Sequence, residues 1–241
     1  MLTFEDEPCS DDSLLTSSDN RCQSCNKAIG FNPAFYNASP SQISEKQQKY
    51  NLQAHCVYLA YFSKNLIKVG IAHQKRSIIR LCEQGARAAA IIYHCDSAYK
   101  ARGAEVMIKN DMGISEAVNN SRKMKLLREE YNFDKAKDKL SDLNKAFHES
   151  IKSGQISLPK LYDFQEDYLG DNTLKKDIFD VSKASPLSIS GKCIGMIGNI
   201  LLMEQGNQQF MVPVKLFVSH VVTFSEKFVK NDIVPTQMSL F

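Results

Sequence analysis

The chain has 241 residues, 43% of them apolar, enough to bury one good core or a modest core with smaller satellites. Lys and Arg number 30 against 27 Asp and Glu, so any attraction to nucleic acid has to come from local patches and not from overall charge. The start, MLTFEDEPCSDDS, is acidic without an apolar run, and no stretch approaches the roughly 20 apolar residues of a membrane span, which points to a cytoplasmic protein with no membrane partner.

Residues 1–21 are rich in Ser, Asp and Glu and read as a poorly ordered lead-in. A small, loop-rich module is expected over 22–56. It opens on Cys22 and Cys25, whose two-residue gap is that of a zinc knuckle, and it ends on His55 and Cys56. A tetrahedral site needs four ligands, so the expected set is Cys22, Cys25, His55 and either Cys9 or Cys56, around a structural Zn2+. A redox pair or plain free thiols are the alternatives, and the redox reading lacks the usual strand-to-helix setting. An odd count of seven cysteines argues against a disulfide framework. Cys82, Cys95 and Cys193 stand among apolar neighbours and are expected in the core.

From residue 57 the pattern sharpens. VYLAYF (57–62), the break SKN and LIKVGIA (66–72) predict a β-hairpin. In HQKRSIIRLCEQGAR (73–87), Ile78, Ile79, Leu81 and Cys82 recur at helical spacing and Gly85 can end the helix. AAAIIYHC (88–95) reads as a buried strand and SAYKARGAEVMIKND (97–111) as a short helix, so the domain over 57–112 has the order β-β-α-β-α. Residues 114–152 are charged, with sparse apolar positions such as Leu126, Leu140 and Phe147, which predicts one or two surface helices within a connector over 113–186. LSISGKCIGMIGNILLM and FMVPVKLFVSHVVTF predict a small β-rich domain over 187–230, and 231–241 form a tail. The expected fold class is α+β.

On the second helix, Glu105 lies four residues after Ala101 and three before Ile108, so it shares their face and that of Ala104 rather than the face of Lys100 and Lys109. A carboxylate so placed is half buried and needs a partner. Arg76 and Arg80 are four apart on one face, an arrangement that suits phosphate contact and equally suits a solvated surface.

The hairpin bearing Val57-Tyr58-Leu59 and Lys68-Val69-Gly70, followed by an Arg-bearing helix, a strand and a Glu-bearing helix, resembles the GIY-YIG nuclease superfamily. More narrowly, HCVYLAYF, IKVGIA, RLCEQGAR and ARGAEVMIK resemble the DUF2797 family. The superfamily resemblance implies that Tyr58 orients or deprotonates a water, that Arg80 holds the scissile phosphate, and that Glu105 binds one divalent metal, Mg2+ or Mn2+. Lys68 stands where the superfamily usually offers a tyrosine, and a lysine there can still contact phosphate. His73 is either an added acid or base or a capping residue, and Arg76 a second substrate contact.

The last residues, Gln237-Met238-Ser239-Leu240-Phe241, resemble the QLxLF peptides with which bacterial replication and repair proteins bind the sliding clamp. This implies that Met238, Leu240 and Phe241 enter an apolar cleft of the clamp with Gln237 hydrogen-bonded at its mouth. The expected function is a metal-dependent DNA endonuclease acting in replication or repair and recruited by the clamp. The alternative, which Lys68 favours, is a catalytically inactive module that keeps the fold and binds DNA or RNA.

Overall fold

The computed structural model describes residues 9, 11–13, 22–25, 32, 35–115, 117–151, 158–181 and 189–217. The tail with Gln237, Met238, Leu240 and Phe241 lies outside the described residues, as does the β-rich region beyond 217.

Helix α1 (Glu45–Asn51) starts at Ser44, whose hydroxyl accepts from the Gln47 amide. Strands β1 (His55–Ser63) and β2 (Leu66–His73) form the expected antiparallel hairpin. After one 3-10 turn, α2 (Ser77–Gln84) runs to Gly85, which takes the left-handed conformation at φ 72° that closes the helix. Strand β3 (Ala88–Cys95) returns antiparallel to β1, and α3 (Ala98–Met112) follows, capped by Ser97. Helices α4 (Asn120–Leu126) and α5 (Phe133–Ser150) occupy the charged stretch. Strand β4 (Lys160–Asp163) then joins the edge of β3, giving a first sheet in the order β2-β1-β3-β4. Beyond α6 (Gln165–Leu169) come β5 (Phe179–Asp180), β6 (Lys192–Ile197), β7 (Ile200–Gln205) and β8 (Gln208–Pro213), paired as β5-β8-β7-β6.

Strand β1 is buried along its whole length because both faces of the first sheet are covered. Val57, Leu59 and Tyr61 face a core built with Ala101, Ala104 and Ile108 of α3 and Leu140 and Phe147 of α5. Cys56, Tyr58, Ala60 and Phe62 face the other core, which takes Leu81 from α2 and Ile194, Ile197, Ile200 and Leu202 from the second sheet. The second sheet is therefore packed on the first through shared apolar contacts. Its β6–β7 turn meets the end of α2 almost backbone to backbone: a Cβ on Gly198 would fall 2.9 Å from the Gly85 nitrogen. Cys95 is buried as expected, whereas Cys193 is exposed at the outer strand β6, where its apolar neighbours face the core and it does not. Among the described residues no helix is long and apolar enough to cross a membrane.

Candidate functional site

A cleft of about 590 Å3 opens between β1, β2, α2 and α3. Tyr58, Lys68, His73, Arg76, Arg80 and Glu105, all singled out from sequence, line it together.

Tyr58 is 2% exposed and sits opposite Gly70 in the hairpin register. The ring lies over the glycine so closely that a Cβ on Gly70 would fall 2.5 Å from Tyr58 Cζ. The Tyr58 oxygen accepts a hydrogen bond from Gln84 Nε2 at 2.6 Å, and Gln84 Oε1 accepts from Lys68 Nζ. Gln84 Nε2 also reaches the Arg80 carbonyl at 3.1 Å. Burial pushes the Tyr58 phenol above its ordinary value, and the Gln84 hydrogen bond and the Arg80 charge oppose that shift without overcoming it. Gln84 has no counterpart among the residues picked from sequence. Its position four after Arg80, on the same helical face, is the signal that marks it.

The outer wall is basic. Arg76 and Arg80 share Glu83, at 2.9 and 3.3 Å, in ion pairs that are well solvated. Opposite them, Glu105 is 6% exposed on the face of Ala101, Ala104 and Ile108 that the helical spacing predicts. Its carboxylate receives Arg102 Nη1 at 2.5 Å, and the Arg102 guanidinium lies 4.2 Å over the ring of Tyr36 at the cleft mouth.

At the other end His73 is the cap of the 3-10 turn, its Nδ1 accepting from the Lys75 amide at 3.2 Å. That leaves Nε2 protonated and donating to Gln53 Oε1 at 2.8 Å. The ring stacks on Tyr50 at 5.2 Å, with His55 edge-on at 5.4 Å. Burial lowers both imidazoles from their ordinary value, so both are neutral at pH 7. Asn51 lines the same wall, and its carboxamide has no hydrogen-bond partner among the described residues.

The metal ligand set expected from sequence needs a correction. His55 is 3% exposed in the aromatic wall with Nδ1 on the Gln53 carbonyl at 2.8 Å, and Cys56 is fully buried in the core, where burial pushes its thiol up to about 11. Neither belongs to the cysteine cluster, which consists of Cys9, Cys22 and Cys25 with sulfurs within 4.8 Å of one another. The Cys9–Cys22 and Cys9–Cys25 separations are both 3.6 Å. Two thiolates at about 2.3 Å from a tetrahedral Zn2+ stand about 3.8 Å apart, and a disulfide needs about 2.05 Å, so the trio fits co-ligands of one soft metal ion and not a bridge. Hydrogen bonds from the Ser13 and Asp11 backbone, then from Cys22 and Cys25, bring Cys9 down to about 7, while the contacts with Cys22 and Cys9 push Cys25 up to about 11, so Cys9 gives up its proton before Cys25.

No curated protein and no solved structure matches the chain. The model of a family described as "Protein of unknown function (DUF2797)" matches residues 20–222, which takes in the cysteine pair, the cleft and the second sheet. The chain belongs to the DUF2797 family.

Proposed function

We propose that the cleft binds the phosphodiester backbone of DNA and hydrolyses it with the help of a divalent metal, in the manner of GIY-YIG nucleases. The observation that carries this reading is the convergence of Tyr58, Arg80 and Glu105, from a strand and two separate helices, on one cleft. Phosphodiester hydrolysis needs cations against the phosphate oxygens, a positioned water and a proton acceptor. Arg80, with Arg76 beside it, takes the phosphate: its side chain is 52% exposed, and a solvated pair with Glu83 is worth little and exchanges readily. Tyr58 orients the water and handles its proton. Glu105 is the buried carboxylate that fits Mg2+ or Mn2+, with waters and phosphate oxygens completing the shell, in exchange for its pair with Arg102. When bound, such an ion neutralises charge growing on the phosphate. Cys9, Cys22 and Cys25 hold a structural Zn2+, and the tail around Gln237–Phe241 recruits the protein to the sliding clamp in replication or repair.

The Arg102–Glu105 pair and the lysine at position 68 favour a second reading, a module that binds DNA or RNA without cutting it. Branched, nicked and single-stranded DNA incubated with the protein and Mg2+ decides between them. Cleavage that disappears in Glu105→Ala and Arg80→Ala is the expected result. Wild type and Glu105→Ala equally inert, with both still binding DNA, gives the second reading instead.

A further inference from the structure

Resting on the reading of Tyr58 as the residue that handles the proton of the water, we infer that Lys68 is not a phosphate contact but the head of a polar relay, Lys68 to Gln84 to Tyr58, that fixes the hydrogen-bonding direction at the Tyr58 oxygen. Gln84 is the positioning residue of this relay, and Lys68 acts through it.

The hairpin register puts Gly70 opposite Tyr58 and Lys68 opposite Ala60, so Lys68 is the diagonal neighbour of Tyr58 on one face. Gln84 bridges the two. The orientation of its amide follows from its neighbours: an ammonium only donates, and the Arg80 carbonyl only accepts. Oε1 therefore faces Lys68, and Nε2 faces both the Arg80 carbonyl at 3.1 Å and the Tyr58 oxygen at 2.6 Å. The phenol oxygen is thus an acceptor toward Gln84, and its proton is left for another partner. An ammonium on the amide oxygen draws electron density from the amide nitrogen and strengthens its donation to Tyr58. The charge of Lys68 is thereby felt at Tyr58 across an intervening amide.

Gln84 is well held for this role. It is 7% exposed at the last turn of α2, and its backbone carbonyl accepts from Lys123 Nζ at 2.6 Å. The side chain is thus fixed at both ends before any substrate arrives.

Kinetics and the salt dependence of DNA binding test the relay together. Lys68→Met and Gln84→Leu should each lower kcat by roughly 10- to 100-fold with KM little changed, as positioning residues do. The double variant should be no slower than either single one, because both break the same chain. Gln84→Glu keeps the acceptor for Lys68 but loses the donor to Tyr58, so it should be as slow as Gln84→Leu. Lys68→Arg, still a cationic donor, should recover most of the rate. In binding, the slope of log K against log salt should be unchanged in Lys68→Met and shallower by about 0.9 in Arg80→Ala. A slope shallower by about 0.9 in Lys68→Met, or rate losses that multiply in the double variant, overturns the relay. If the wild type cuts no DNA, the reading of Tyr58 fails, yet the salt slope of Lys68→Met still decides whether Lys68 touches phosphate.

Discussion

Gly70 and Tyr58 face one another across the hairpin, and the ring of the tyrosine fills the volume that any side chain on the glycine would need. The first prediction follows from that overlap. Gly70→Ala should destabilise the fold by about 1–3 kcal/mol, the usual cost of overpacking a closed core, measured by urea unfolding. In Tyr58→Ala the same glycine substitution should cost much less. Equal costs in both backgrounds would show that the ring is free to move aside.

Removing Arg102 leaves Glu105 in a buried place without that cation. Arg102→Ala should lose roughly 2–3 kcal/mol in the presence of a chelator, and Arg102→Ala with Glu105→Gln should recover part of it. Added Mg2+ should raise the unfolding midpoint of Arg102→Ala more than that of wild type, since the carboxylate no longer has to leave Arg102. No added effect of Mg2+ on the variant speaks against Glu105 as a metal ligand.

The paired imidazoles give a pH dependence of known sign. Burial, and the neighbouring His73, hold His55 below its ordinary value of 6.5, and burial does the same to His73. Below 6.5 the unfolded chain takes up protons that the folded chain refuses. Their contribution is therefore complete above 6.5 and is lost as the pH falls through the folded values. Midpoints of chemical unfolding should decline as the pH falls below 6.5, and His73→Asn, which keeps a capping acceptor, should flatten the decline. A decline identical to wild type in His73→Asn and His55→Gln would place the titration elsewhere.

Metal content separates the ligand set drawn from sequence spacing from the one in the fold. Purified protein should carry about one Zn2+ per chain, released by a strong chelator. Cys9→Ser, Cys22→Ser and Cys25→Ser should each lower the stoichiometry, and His55→Gln and Cys56→Ala should not. Metal lost on His55→Gln would restore the earlier set.

If the tail is a clamp ligand, deleting residues 237–241 should abolish association with the sliding clamp and leave thermal stability and DNA binding unchanged. Leu240→Ala and Phe241→Ala should each weaken clamp binding by about 1–3 kcal/mol, and Ser239→Ala by little. A melting temperature several degrees lower, with clamp binding intact, assigns the tail to the packing of its own chain.

The hairpin, α2, β3 and α3 were legible because periodicity and turn residues are local signals: the unbroken VYLAYF reflects a strand covered on both faces, and Gly85 stops α2 where the apolar spacing ends. The helical face of Glu105 was legible for the same reason. Gln84 was not, because its role comes from contacts 16 and 26 residues away in sequence, to Lys68 and Tyr58. Strand β4 lies in the stretch read as a connector, where KLYD has no apolar face of its own and gains its identity from the free edge of β3. The partners of the CxxC pair were not legible, because Cys9 stands 13 residues before Cys22 and His55 30 residues after Cys25, neither spacing names a ligand, and only the path of the chain brings Cys9 to the pair.

The meeting of Gly85 with Gly198 bears on how the protein can be cut. With no side chain between them, the end of α2 rests on the backbone of the β6–β7 turn, and the Tyr168 hydroxyl bonds the Ala86 carbonyl at 2.8 Å beside it. A fragment ending at Met112 would contain Tyr58, Lys68, Arg76, Arg80 and Glu105 and the hairpin face on which Leu81 packs, yet not the turn against which the C-terminal end of α2 rests. In engineering terms the hairpin and its two helices are not a cassette that can be grafted elsewhere, because the end of α2 that carries Gln84 is seated in part on a turn between strands more than a hundred residues downstream.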